Sequence, residues 1–196
     1  MAGRFVYWMN VSLDLRIEAA AGDNGGGDWM RIDEPLHREF NRRAADLALM
    51  VQGRRVFEIM ESYWPAARDD RSLPEFMQEY GAIWTDMPKI LVSRTRTEAP
   101  FNTRVIGEDA VTRLAEVRAE TEGDIGVGGA TLATALLDAG LLDELLLFTH
   151  PAILGSGRPL FDDPRPGETR DPVILDLLEQ AAYDQGVALH RYAVRR

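Results

Sequence analysis

Ile125-Gly126-Val127-Gly128-Gly129-Ala130-Thr131-Leu132 reads as a short apolar strand, a glycine pair and the start of a helix. Adjacent glycines let backbone N–H groups approach a diphosphate with no Cβ in the way. A helix N-terminus behind them adds its positive dipole end, and Thr131 is placed to cap or donate. A strand-to-helix turn also needs glycine for geometry alone, so the stretch by itself supports a nucleotide site and a plain turn equally. Downstream, Leu132, Ala135, Leu136 and Ala139 keep helical spacing, and Gly140 is placed to close the helix.

A second turn has the same layout. Leu47-Ala48-Leu49-Met50-Val51 is an apolar run of the kind found in strands covered on both faces, and Gly53-Arg54-Arg55-Val56 follows. Two guanidinium groups at the end of a strand, on a chain of net charge −10, suggest a bound anion. Solvated surface arginines are the competing reading. Together the glycine-paired and the arginine-rich turn suit a dinucleotide with a diphosphate and an extra phosphate, NADPH rather than NADH. No G-x-G-x-x-G is present, so a Rossmann site is not supported.

Strand and helix signals alternate through the middle of the chain. Strands are expected at Phe5–Met9, Lys89–Ser93, Arg104–Ile106, Ile125–Val127 and Leu145–Thr149. Helices are expected after Asp33-Glu34-Pro35, over 56–61, weakly over 75–80, and through Ala110, Leu114 and Val117. Trp64-Pro65 to Leu73-Pro74 reads as a polar excursion, 22–28 as a glycine-rich loop and 158–172 as a surface excursion. The segments 173–178 and 187–194 read as a closing strand pair. The pattern implies one α/β domain over 1–196: a mixed, mostly parallel central sheet with helices on both faces and antiparallel C-terminal strands.

Composition narrows the function. The 196 residues include no cysteine, which removes thiolate metal sites and cysteine nucleophiles and fits a reducing cytoplasm. The three histidines, at 37, 150 and 190, form no helical metal-binding pair, so no metal is expected. The negative charge disfavours nucleic acid. No apolar run reaches membrane-spanning length, and Met1-Ala2-Gly3-Arg4 lacks the apolar stretch of a signal peptide. Ser12-Leu13-Asp14 follows the first strand; Asp14 is a candidate for orienting a ligand or relaying a proton, or simply a turn aspartate. Asp33 is the second candidate acid. Trp29, Phe40 and Arg43 offer an aromatic wall and a cation for a flat heterocycle, with core packing as the alternative for the aromatics.

Ser12-Leu13-Asp14, Asp28-Trp29, Gly53-Arg54-Arg55, Lys89-Ile90-Leu91-Val92-Ser93-Arg94 and Gly128-Gly129 stand in the order of the dihydrofolate-reductase-like superfamily. More closely, Gly129 to Leu145 and Pro151 to Phe161 resemble the C-terminal reductase domain of the bifunctional riboflavin-biosynthesis deaminase-reductase and its stand-alone relatives. The resemblance implies a three-layer dihydrofolate-reductase-like fold. It also implies NADPH-dependent reduction of a small heterocycle of pyrimidine or pterin type, as by 5-amino-6-(5-phosphoribosylamino)uracil reductase or dihydrofolate reductase. By position it implies that Asn10 and Ser12 line the nicotinamide side. Gly53, Arg54, Arg55 and Val56, with Ser93 and Arg94, would hold the adenosine phosphate. Gly128, Gly129, Ala130, Thr131 and Leu132 would hold the diphosphate, and Trp29, Phe40 and Arg43 the substrate. Two positions depart: Leu15 stands where the motif usually has glycine, and Val127 where the bifunctional enzyme commonly has glutamate. The zinc cysteines of the partner deaminase are missing. A non-catalytic nucleotide-binding protein on this scaffold is the alternative function. A homodimer, or a purely structural dimer module using Leu141-Leu142 and Leu145-Leu146-Leu147, is a further reading, with core as their competing role.

Overall fold

The computed structural model describes residues 2–19, 27–164, 166–167 and 169–196. The expected glycine loop lies outside the described residues from 22 to 26, as do Arg165 and Glu168 of the 158–172 excursion. The strands are β1 (Arg4–Val11), β2 (Arg16–Glu18), β3 (Leu49–Gly53), β4 (Lys89–Val92), β5 (Thr103–Ile106), β6 (Asp124–Gly128), β7 (Leu142–Thr149), β8 (Arg158–Pro159), β9 (Leu175–Ala182) and β10 (Ala188–Val194). The helices are α1 (Glu34–Ala45), α2 (Arg54–Asp69), α3 (Glu75–Asp86), α4 (Ala110–Glu120) and α5 (Ala130–Asp138). Eight strands hydrogen-bond in the order β5-β4-β3-β6-β1-β7-β10-β9. The β3–β4, β3–β6 and β4–β5 pairs are parallel, and β7–β10 and β10–β9 are antiparallel. This is the mixed, mostly parallel sheet with antiparallel C-terminal strands that the alternation implies. A ribbon of β2 and β8, too short to leave a sequence pattern, stands apart from it.

The chain resolves into two compact units, one of residues 1–5 and 32–129, the other of 6–31 and 130–196. In the first, α1 starts on an Asp33 N-cap, whose carboxylate accepts from Leu36 N–H at 3.0 Å, with proline in the first turn. Its buried face carries Leu36, Phe40 and Ala44. Leu47 N–H then donates to the Ala44 carbonyl at 3.2 Å. That turn delays β3 by two residues from the apolar run that announces it.

Helix α2 differs most from expectation. It runs through Pro65 to Asp69, where the sequence suggests a polar excursion. An internal proline costs roughly 3 kcal/mol. Phe57, Met60, Trp64 and Ala67 keep 3–4 spacing across it, and Phe57 and Ala67 are fully buried. Packing of that stripe against α3 outweighs the lost hydrogen bond. Helix α3 likewise extends six residues beyond Tyr80, and Trp84 on it is completely buried. Lys89, also buried, donates through Nζ to the carbonyls of Trp84, Thr85 and Met87 at 2.5, 3.3 and 2.7 Å. Its ammonium thereby satisfies the end of α3.

In the second unit, Leu132, Ala133 and Leu136 of α5 and Leu142, Leu145, Leu146 and Leu147 of β7 are buried. The leucine run is therefore core. Strand β9 is the last strand of the sheet, with Leu177 and Leu178 exposed, and β10 pairs its other side.

Leu15 adopts φ +56°, in the left-handed region, between Asp14 and β2. That conformation costs a branched residue about 1 kcal/mol, and half of this side chain is solvent-exposed, so little burial compensates. Leu15→Gly is expected to stabilise the protein by about 1 kcal/mol in urea unfolding; a loss of stability would contradict strain at this turn.

Candidate functional site

The carboxyl ends of the parallel strands come level in the first unit. Gln52 pairs in register with Gly128, and Gly53 with Val92. Ligands of open α/β sheets bind at such ends. Gly53 is both the last residue of β3 and the N-cap of α2, with no side-chain cap and no acid in the first turn. No side chain of the N-cap residue therefore occupies the amides of that turn. Gly129 takes φ +109°, and a Cβ there would sit 3.5 Å from Val56 Cγ2 and 3.8 Å from Gly53 N. A Cβ on Gly128 would meet Val56 Cγ1 at 3.1 Å. Thus Gly53, Val56, Gly128 and Gly129 converge into one cradle, where a Cβ at 128 would press on Val56 and a side chain at 129 would be strained by its positive φ. Beside it, Gln52 is buried, and its Oε1 has no hydrogen-bond partner among the described residues.

Arg54 lies exposed at the start of α2 and bridges Glu58 at 3.0 Å. Arg55 follows it. Ser93, buried at the end of β4, accepts from the amides of Thr95 and Arg96 at 3.2 and 3.0 Å, which shapes the 93–96 turn. Arg94 extends into solvent from that turn. Arg96, which the motif reading passed over, pairs with both oxygens of Glu61 at 2.7 and 3.1 Å and lies over the Phe57 ring. It fastens the turn to α2. Its signal in the sequence is only its spacing from Ser93.

Phe40 and Arg43 of the expected substrate group sit on α1. Phe40 is buried, beside His37, which is itself surrounded by Trp64, Phe76 and Tyr80. Arg43 Nε donates to Glu39 at 2.6 Å and is largely buried. The ring contacts pack α1 against Phe76 and Tyr80 of α3 and Trp64 of α2, while the Arg43–Glu39 pair lies within α1. A cavity of about 730 Å³ in this unit, lined by Leu49, Lys89, Phe101 and Thr121 among others, lies at the amino ends of β3 and β4. It is thus at the opposite end of the strands from the glycine cradle.

The second unit gathers the other candidates in three small groups. Ser12, fully buried, donates to Asp14 at 2.7 Å and accepts from Arg16 N–H at 2.9 Å. Asp14 also accepts from the amides of Leu154 and Gly155 at 3.0 and 2.8 Å. The Leu154 amide, then Ser12, hold its carboxyl down to about 2. Asp14 is therefore ionised at neutral pH and ties the 12–15 turn to the 154–155 loop. With Asp33 used as a helix cap, both candidate acids have anchoring work.

Thr131, in the first turn of α5, accepts from Arg158 at 2.8 Å, and Arg158 also pairs with Asp162. Ala130 and Leu132 of that turn are buried, so only its backbone and Thr131 face outward. Arg158 is a cation at the start of α5 that the glycine motif alone does not announce. Third, His150 contacts Asn10 through Nε2 at 3.0 Å and receives the Arg31 amide at 2.9 Å. Its ring meets Trp29 edge-on. Asn10 and Trp29 are thereby brought together, through a histidine that sequence reasoning left unassigned.

Among the described residues no cluster of histidine, cysteine, aspartate or glutamate is suited to a metal ion, and no helix is long and apolar enough to cross a membrane.

Comparison with known proteins places this architecture. The chain is 28% identical over 185 residues, 94% of its own length and 91% of the relative's, to the uncharacterized protein YyaP of Bacillus subtilis (strain 168). A putative riboflavin biosynthesis protein from Shewanella sp. PV-4 shares the fold with a TM-score of 0.73 at 20% identity, covering 100% of both chains. Dihydrofolate reductase from Enterococcus faecalis, solved with NADP(H) and RAB-propyl, matches with a TM-score of 0.62 at 15% identity over 100% of this chain and 99% of that one. The family model of the RibD C-terminal domain matches residues 5–189, and the chain belongs to that family.

Proposed function

We propose that this protein is an NADPH-dependent reductase that delivers hydride to a small heterocycle of pyrimidine or pterin type. The observation that carries the reading is the cradle at the ends of β3 and β6. There a helix start with no side-chain cap, residues 53–56, meets a glycine pair of which Gly128 has room for no Cβ without pressing on Val56 and Gly129 takes φ +109°. Such a surface offers backbone donors to a phosphate at close range. The family and the fold shared with a reductase solved with NADP(H) support the same reading.

In this proposal Gly53, Arg54, Arg55, Val56, Ser93 and Arg94 hold the adenosine phosphate. Gly128 through Leu132 hold the diphosphate, with Arg158 adding charge at Thr131. Asn10 and Ser12 serve the nicotinamide side, and Trp29 the substrate. When bound, the cofactor supplies the hydride. Asp14, ionised and held by two amides, positions the turn rather than donating a proton. The reading also includes a homodimer, which light scattering tests.

Addition of millimolar NADPH is expected to raise the melting temperature by several degrees and quench tryptophan fluorescence, because a ligand that binds only the folded chain stabilises it. If NADPH changes neither signal, the cofactor assignment fails.

A further inference from the structure

His150 follows β7 directly and is completely buried. Both ring nitrogens are engaged. Nδ1 lies 2.9 Å from the backbone N–H of Arg31, which only donates, so Nδ1 must present its lone pair. The proton of the neutral ring is then on Nε2, which donates to Asn10 Oδ1 at 3.0 Å. Burial lowers the imidazole to about 4, which keeps Nδ1 an acceptor at neutral pH.

This arrangement decides how the Asn10 amide is turned. With Oδ1 occupied by His150, the side chain presents its amino group, two N–H donors, in the other direction. Trp29 meets the same imidazole at 5.6 Å and 84°, and its buried indole N–H has no partner among the described residues. A buried donor left unpaired is costly, and native structures rarely keep one without a use. The two sides of His150 therefore carry donors with no matching acceptor among the described residues.

We infer that His150 is a positioning residue. Through its Nε2–H tautomer it turns the Asn10 amide so that the amino group meets a carbonyl acceptor on a bound ring. The inference rests on the reductase reading, which supplies two sources for that carbonyl: the nicotinamide carboxamide or an oxo group of the substrate heterocycle. The Arg31 amide bond makes the same histidine the tether of the segment that bears Trp29.

The test begins on ligand-free protein. Long-range proton–nitrogen spectra of labelled histidine are expected to show the neutral Nε2–H tautomer for His150 at pH 7. An Nδ1–H tautomer or a protonated ring overturns the inference whatever the protein binds. The Asn10 side-chain amide signals are then followed during separate additions of NADPH and of uracil. A shift with NADPH assigns the carbonyl to the cofactor; a shift with uracil assigns it to the substrate. Silence with both, while NADPH still raises the melting temperature, overturns the inference and leaves the reductase reading standing. NADPH that moves neither Asn10 nor the melting temperature removes the reductase reading itself.

Variants separate positioning from mere packing. His150→Gln keeps one acceptor and one donor, whereas His150→Leu keeps neither. His150→Leu is expected to weaken the ligand that moves Asn10 by about tenfold, with His150→Gln restoring affinity to within about threefold. Asn10→Asp keeps an acceptor for His150, removes the donor, and is expected to show the same tenfold loss at little cost in melting temperature. A His150→Leu protein that melts earlier yet binds like wild type would overturn the assignment.

Discussion

Replacing Arg54 and Arg55 together by alanine is expected to weaken NADPH about a hundredfold while changing NADH by less than about threefold. The two arginines open α2, directly after Gly53, and no acid shares that first turn. A charge-assisted hydrogen bond to phosphate contributes about 1.5–3 kcal/mol. Two such bonds give at least about 3 kcal/mol, and each 1.4 kcal/mol is tenfold in affinity. Only NADPH carries the extra phosphate, so the loss falls on one cofactor. Misfolding does not imitate this result. The interaction lost within the protein at Arg54 is an exposed pair with Glu58, one turn along the helix, and such pairs contribute about 0.3–0.5 kcal/mol. Isothermal titration of both cofactors reads the outcome. Equal losses for NADPH and NADH would remove the phosphate assignment while leaving the diphosphate cradle in place.

The second large effect is on stability. Gly81→Ala is expected to cost about 3 kcal/mol or more in urea unfolding. At Gly81, helix α3 approaches the backbone of α2 with no side chain between them. A Cβ there would lie 2.6 Å from Arg68 N and 2.7 Å from the Trp64 carbonyl oxygen. These atoms belong to a helix backbone and cannot swing aside as a side-chain tip would. The helices must separate, and the stripe of Phe57, Trp64 and Ala67 loses its fit against α3. An alanine protein as stable as wild type would show that α2 and α3 do not meet so closely. Alanine is the better helix former, so propensity alone predicts the opposite sign.

Gly81 also shows where sequence reading reaches its limit. Its helical neighbourhood makes glycine look like a weakness, and only the crossing of two helices turns it into a requirement. Pro65 is the reverse case. Its chemistry announces a helix end, but the apolar residues flanking it at 57, 60, 64 and 67 carry enough packing to continue the helix. Where local preference and burial agree, the reading holds. The glycine turns after β3 and β6, the Asp33-Glu34-Pro35 helix start and the paired C-terminal strands were all legible for that reason. The ribbon of β2 and β8 was not, because strands of three and two residues have no period to detect.

The candidate site divides in the same way. A glycine pair is visible in the chain itself, and the tight contact at Gly128 and the positive φ of Gly129 account for it. Acids are ambiguous, because the same carboxylate serves as a helix cap, a loop anchor or a proton donor. Asp33 accepts from Leu36 N–H, and Asp14 gathers two amides from residues about 140 positions away. Neither partner set can be read from neighbours in sequence. His150 is invisible for the same reason, since both hydrogen-bond partners of its ring come from the first 31 residues.

That separation has a consequence for synthesis. The unit built from 6–31 and 130–196 is split by the whole of the other unit's longer segment. As the chain leaves the ribosome, Val6, Tyr7 and Val11 emerge early, yet Tyr7 hydrogen-bonds Leu160 and Val11 receives the His150 amide. At about 5–20 residues per second, those partners arrive roughly ten seconds later. The unit of 1–5 and 32–129 has all of its residues before then. The nascent protein therefore passes through a stage in which all residues of one unit are present while an apolar strand of the other waits for its mate. During that interval the apolar residues of the strand are exposed, as in any chain whose pairing partners arrive late.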